Sequence, residues 1–181
     1  MLVEWISYGV IFFLASTFLV VSLGMFAGAL WAAPCVPSGK KTVQKMIRAA
    51  CITPSDIVYD LGCGDGRFVF AAAKAGAKKT VGIEISPLVF LYAKFRSWFL
   101  GTKNSAIRFG NFFHFSEVKD ADVLFLFLLP NILEEVFREI WPHLKPGTRV
   151  ISNSFFPEHV SPKVVIPKDK GGKKIYVYVK K

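Results

Sequence analysis

Between two apolar runs the sequence VYDLGCGDGRFVF, Val58 to Phe70, gathers three glycines and two aspartates into one short loop. Asp60 stands two residues before Gly62-Cys63-Gly64-Asp65-Gly66, and Glu84 follows the loop by about 20 residues. Glycines let a ligand approach the backbone closely and permit torsions closed to other residues. The helix expected next offers unpaired N–H groups and the positive end of its dipole. A dinucleotide fingerprint would read GxGxxG, with a pyrophosphate over that helix. This loop reads GxGxG, and a carboxylate at the strand tip repels a pyrophosphate but attracts an ammonium group. The expected ligand therefore carries an amine, and Glu84 is placed to accept hydrogen bonds from ribose hydroxyls.

These residues can act together only if the chain brings them to one edge, and the order of elements supplies that edge. KKTVQKMIRAAC puts Val43, Met46, Ile47, Ala50 and Cys51 on one helical face. DIVYDL (56–61) reads as a strand, GRFVFAAAKAG (66–76) as a helix and KTVGIEI (79–85) as a second strand. Ser86-Pro87 caps and starts a helix running to about Leu100. Strands are expected again at 106–110, at 121–129 (fully buried) and at 148–156, with a helix over 132–144 broken near Pro142. KVVIP and KIYVYVK close the chain as a hairpin turned at Lys168–Gly172. This alternation predicts an α/β fold, a Rossmann-like, doubly wound and mostly parallel sheet with an antiparallel C-terminal hairpin. Ligands of such sheets bind beyond the carboxyl ends of the strands, where the glycine loop falls.

A different logic governs the first 39 residues. No charged residue occurs from Trp5 to Gly39, and Ile6 to Ala33 is almost wholly apolar. About 20 such residues suffice to cross a bilayer as a helix. The segment lacks the basic n-region of a signal peptide and exceeds its apolar length. Residues 1–39 are therefore expected to be a transmembrane anchor and linker, and residues 40–181 the functional domain. Lys40, Lys41, Lys45 and Arg48 follow the span while only Glu4 precedes it, which predicts a cytoplasmic domain. The net charge of +10 is then explained by anionic headgroups, without nucleic acid. Three cysteines without ligand spacing and three scattered histidines give no metal site and fit a reducing compartment.

With Asp60, the GxGxG loop and Glu84 in place, the chain resembles the class I S-adenosylmethionine-dependent methyltransferases. PCVPS, VYDLGCGDGRFVFAAAK, GIEISP and PGTRVISNSFFP narrow the likeness to small membrane-anchored protein-lysine methyltransferases, relatives of those that modify the ATP synthase c-subunit and the adenine nucleotide translocator. The resemblance implies S-adenosyl-L-methionine as cofactor. Asp60 would orient its amino group, Gly62 and Gly64 admit its backbone, and Glu84 hold its ribose. It also implies Asn111 at the adenine amino group with Phe112 on the ring, Cys63 at a position often Ser, and Val36 and Pro37 closing over the cofactor. The expected substrate is a lysine of a membrane-associated protein.

A lysine must lose its proton before it attacks, so an apolar, aromatic cleft is expected. Pro130, Asn131, Asn153, Phe155 and Phe156 are the expected lining, with no general base assigned. The fourth strand ends in LLPN and not in the Asn/Asp-Pro-Pro-aromatic motif, which disfavours nucleic-acid bases as substrates. A lipid or quinone headgroup methyltransferase, or a non-catalytic binding module, are the alternatives.

Overall fold

The computed structural model describes residues 2–31, 39–100, 103–168 and 173–181. The chain divides into two compact units, Met1–Pro34 and Cys35–Lys181. Among the described residues, the first holds α1 (Leu2–Trp31), long and apolar enough over Trp5–Leu23 to cross a membrane. Val36 and Pro37, expected over the cofactor, lie outside the described residues.

In the second unit, α2 (Lys40–Ala50), β1 (Ile57–Leu61), α3 (Arg67–Lys74), β2 (Lys79–Glu84), α4 (Pro87–Leu100) and β3 (Ser105–Phe109) alternate as expected. They are followed by β4 (Val123–Leu126), α5 (Pro130–Glu139), β5 (Arg149–Asn153), β6 (Val164–Ile166) and β7 (Ile175–Val179). The seven strands form one sheet in the order β3-β2-β1-β4-β5-β7-β6, parallel from β3 to β5. β7 runs antiparallel between β5 and β6, so the second arm of the C-terminal pair enters the sheet and the first forms its edge.

Side chains alternate across each strand, which separates the core into two layers. Tyr59 and Leu61 of β1 point to one face with Leu124, Leu126 and Val150, packed under Leu133, Val136 and Phe137 of α5. Val58 points to the other with Val123, Phe125 and Ile151, under Val43 and Met46 of α2 and Phe68 and Ala72 of α3. Ala93 of α4 joins that side through Val69, Phe70 and Ile107. Cys51, expected on the inner face of α2, is instead exposed: it takes a left-handed conformation (φ 46°) that ends the helix.

Two elements are shorter than their apolar runs. β4 stops at Leu126, because Phe127–Leu129 leave the sheet to start α5 at Pro130, whose fixed φ and missing N–H suit the first helical turn. β5 stops at Asn153, where Ser152 Oγ donates to the Phe155 carbonyl (2.8 Å) and Ser154 turns the chain with φ 78°. The last turn expected of the helix over 132–144 is a separate 3-10 turn, Trp141–His143.

Arg149, at the start of β5, fastens α2 to this sheet. Its Nη1 donates to the carbonyls of Ala50 (2.7 Å) and Cys51 (2.6 Å), and its Nη2 to the buried Asp56 (2.5 Å).

Candidate active site

The loop after β1 owes its shape to glycine and to β2. Gly62, Gly64 and Gly66 have φ of 74°, 56° and 77°, in the left-handed region that side chains disfavour. The N–H groups of Gly62 and Cys63 both donate to the Ile83 carbonyl (2.9 and 3.0 Å). Gly64 N–H donates to Glu84 Oε2 (2.9 Å), while Glu84 Oε1 accepts from Ser86 N–H (2.9 Å). Gly82 of β2 allows this contact: a Cβ there would lie 2.7 Å from both Cys63 Sγ and Val69 Cγ2.

Asp65 forms a hook that sequence reasoning missed. It accepts from Arg67 Nε (2.8 Å) and Nη2 (2.7 Å), and Arg96 of α4 pairs with its carboxylate and donates to its carbonyl (2.7 Å). Burial raises this carboxyl, but the two guanidinium groups outweigh it and hold Asp65 below the usual range. The Asp-Gly-Arg order signals the Arg67 half; nothing local signals Arg96.

Asp60 is the opposite case. It is buried at the tip of β1, and its Oδ2 has no hydrogen-bond partner among the described residues. Burial first, then the charges of Glu84 and Asp65, push its carboxyl well above the ordinary range. An unpartnered buried carboxylate is costly, and a cationic donor relieves it. This orphaned oxygen beside a glycine cradle fits the amino group of S-adenosylmethionine.

The other expected residues fall around the same strand ends with different surroundings. Asn111 follows β3, and its Oδ1 already accepts from Phe113 N–H (3.1 Å), capping the short turn Phe112–His114. Phe112 is half-buried, with its ring 4.6 Å from that of Phe113. Cys63 turns its side chain into the core, where burial first, helped by Asp60 and Glu84, pushes its thiol far up; only its backbone belongs to the loop. Pro130 and Asn131 are exposed on the first turn of α5. Asn153 is buried at the end of β5, Phe155 and Phe156 are exposed after it, and Phe156 lies 5.2 Å from the ring of Tyr176. Sequence reasoning also missed Leu128, which lies over Gly62, where an added Cβ would be 3.1 Å away.

Comparison with known proteins agrees with this geometry. The ANTKMT methyltransferase domain matches residues 60–164. A protein-lysine N-methyltransferase of Saccharolobus islandicus is 40% identical over 150 residues, covering 81% of this chain and 92% of that protein. The ATP synthase c-subunit lysine N-methyltransferase of Mus musculus is 32% identical over 126 residues, 68% of this chain, and the chain spans only 50% of its length. Among solved structures, an RNA methyltransferase from Salinibacter ruber in complex with S-adenosyl-L-homocysteine superposes with a TM-score of 0.74 at 33% identity, covering 80% of this chain and 94% of that one. The chain belongs to the ANTKMT methyltransferase family, which includes protein-lysine N-methyltransferases, and is an enzyme that uses S-adenosyl-L-methionine.

Proposed function

We propose that the protein methylates a lysine side chain of a membrane-associated protein, with residues 1–39 as its membrane anchor and residues 40–181 as a catalytic domain on the cytoplasmic side. The 40% identity to a protein-lysine N-methyltransferase over nearly that protein's whole length carries the lysine reading. The apolar span Trp5–Leu23, followed by Lys40, Lys41, Lys45 and Arg48, supports the membrane reading. So does the mouse relative, which is named for the ATP synthase c-subunit as its substrate.

S-adenosylmethionine, when bound, supplies a methyl group on a sulfonium sulfur. Asp60 would take its ammonium group, which relieves the unpartnered Oδ2. The backbone at Gly62, Cys63 and Gly64 would lie against it, and Glu84, held by Gly64 and Ser86, would accept from the ribose hydroxyls. Asn111 and Phe112 would border the adenine. The lysine must arrive as a neutral amine, and the apolar rings of Phe156 and Tyr176, with Phe155, would disfavour its ammonium form once a substrate covers them. Pro130 and Asn131 would complete the rim. Holding the amine in line with the methyl group supplies much of the rate in such a reaction.

The test joins binding to transfer. Calorimetric titration with S-adenosylmethionine, S-adenosylhomocysteine and NAD should show adenosyl binding that Asp60→Ala abolishes, with circular dichroism unchanged. Labelled methyl transfer onto membrane extracts should then yield methyl-lysine on hydrolysis. Label in lipid, or in added RNA, would reject the lysine reading while keeping the cofactor assignment.

A further inference from the structure

Helix α4 is apolar on two opposite sides, and the described residues cover only one of them. Ala93 and Phe90 face the core with Val69, Phe70 and Ile107. Leu88, Leu91, Tyr92, Phe95, Trp98 and Phe99 recur at helical spacing on the other side and are 41, 59, 56, 57, 78 and 68% exposed. At about 100° per residue they share one arc of roughly 120° opposite Ala93. Contiguous apolar surface of this kind marks an interaction site, whereas scattered exposed leucines do not.

Charge around the patch selects the occupant. Between Arg67 and Ser116 the only acidic residue is Glu84, which is buried, and the acids flanking this stretch are paired with arginine, Asp65 with Arg67 and Arg96 and Glu117 with Arg108. Lys74, Lys78, Lys79, Lys94 and Lys103 are all exposed in the same stretch. Lys94 lies on α4 beside the aromatic stripe. Thr80 N–H donates to the Asn104 carbonyl (2.8 Å), which sets Lys79 next to the loop that carries Lys103. A second copy of the chain meeting this face symmetrically would set lysines against lysines. An aromatic stripe beside exposed lysines, with the neighbouring acids buried or held by arginine, instead matches an anionic bilayer surface, with rings at the acyl boundary and ammonium groups at the phosphates.

We propose that the outer face of α4 is a membrane-surface docking site for anionic lipid, a contact separate from residues 1–39. It does not depend on the chemistry at Asp60. Since α4 begins three residues after Glu84, docking would bring the neighbouring strand ends close to the headgroups, and a lysine emerging near the bilayer surface would be within reach.

The test uses the full chain mixed with vesicles of phosphatidylcholine alone or with phosphatidylglycerol, each carrying lipid brominated near the headgroup end of the acyl chain. The fluorescence difference between the wild type and Trp98→Phe isolates Trp98. The Trp98 signal should be quenched in anionic vesicles, less so in neutral ones or in high salt. The Phe95→Glu/Phe99→Glu protein should lose the quenching while keeping its circular dichroism. An unquenched Trp98 signal on vesicles that carry the protein would overturn the proposal. So would a Trp98 signal shielded only as protein concentration rises, which would mean a second copy covers the face. Failure of the anchor reading is seen separately: the chain would not float with neutral vesicles, yet would still float with anionic ones. Failure of the methyltransferase reading would leave the quenching untouched.

Discussion

Gly64 and Glu84 are twenty positions apart and joined by one hydrogen bond, from the loop N–H to Oε2, so the acid at the end of β2 sets the glycine loop as well as the space beside it. Glu84→Gln keeps one acceptor oxygen and turns an amide NH2 toward the other N–H donor. Losing a bond to a charged group costs about 1.5–3 kcal/mol. Affinity for S-adenosylhomocysteine should therefore fall about tenfold or more, measured by calorimetry.

Asp60 gives the protein a pH signature. Its folded carboxyl lies above its ordinary value of 3.8, so the native state holds a proton that the unfolded state releases. That contribution is fully present below the ordinary value and is lost as pH rises through the folded one. Without ligand, Asp60→Asn should melt at a higher temperature than the wild type at neutral pH, and the gap should close below about pH 4. Saturating S-adenosylmethionine should raise the wild-type melting temperature more than that of the variant. A constant gap across pH in thermal scans would contradict this.

Gly82→Ala tests whether the loop depends on its neighbour strand. The new Cβ would overlap Cys63 and Val69, both packed in the core, and such overpacking costs about 1–3 kcal/mol. A lowered urea midpoint should be accompanied by weaker adenosyl binding, because relief requires moving Cys63 and with it the loop.

The two described cysteines should separate cleanly in a labelling experiment. Cys51 is exposed, whereas Cys63 is buried with its thiol pushed far up. Thiolate is the reactive form. Under native conditions mass spectrometry should find maleimide on Cys51 and none on Cys63 between neutral and mildly alkaline pH, with Cys63 labelled once the protein is unfolded in urea.

What the sequence discloses here is what is local. The glycine loop, the strand tips at Asp60 and Glu84, and the helices opened by Pro87 and closed near Lys74 follow from torsional demands within a few residues. The run VLFLFLL does not show that the chain leaves the sheet after Leu126, since apolar character continues past the last ladder bond. Nor does apolar periodicity tell which side of α4 is covered, because both sides carry the same signal. Arg96 on Asp65 and Arg149 on Asp56 are contacts across 31 and 93 positions, and only the folded topology brings them together. Ser154 is a third case: no residue type announces its left-handed turn, which the Ser152 to Phe155 bond spans.

Arg149 also bears on the order in which the domain is assembled during synthesis. The carbonyls that end α2 are held by a residue 99 and 98 positions downstream, so they stay without that partner until β5 has left the ribosome. Domains form as units, and contacts so distant along the chain come late. A ribosome-bound chain ending before β5 should thus leave α2 open to protease after β1 and β2 have emerged, and extension through Arg149 should close that window.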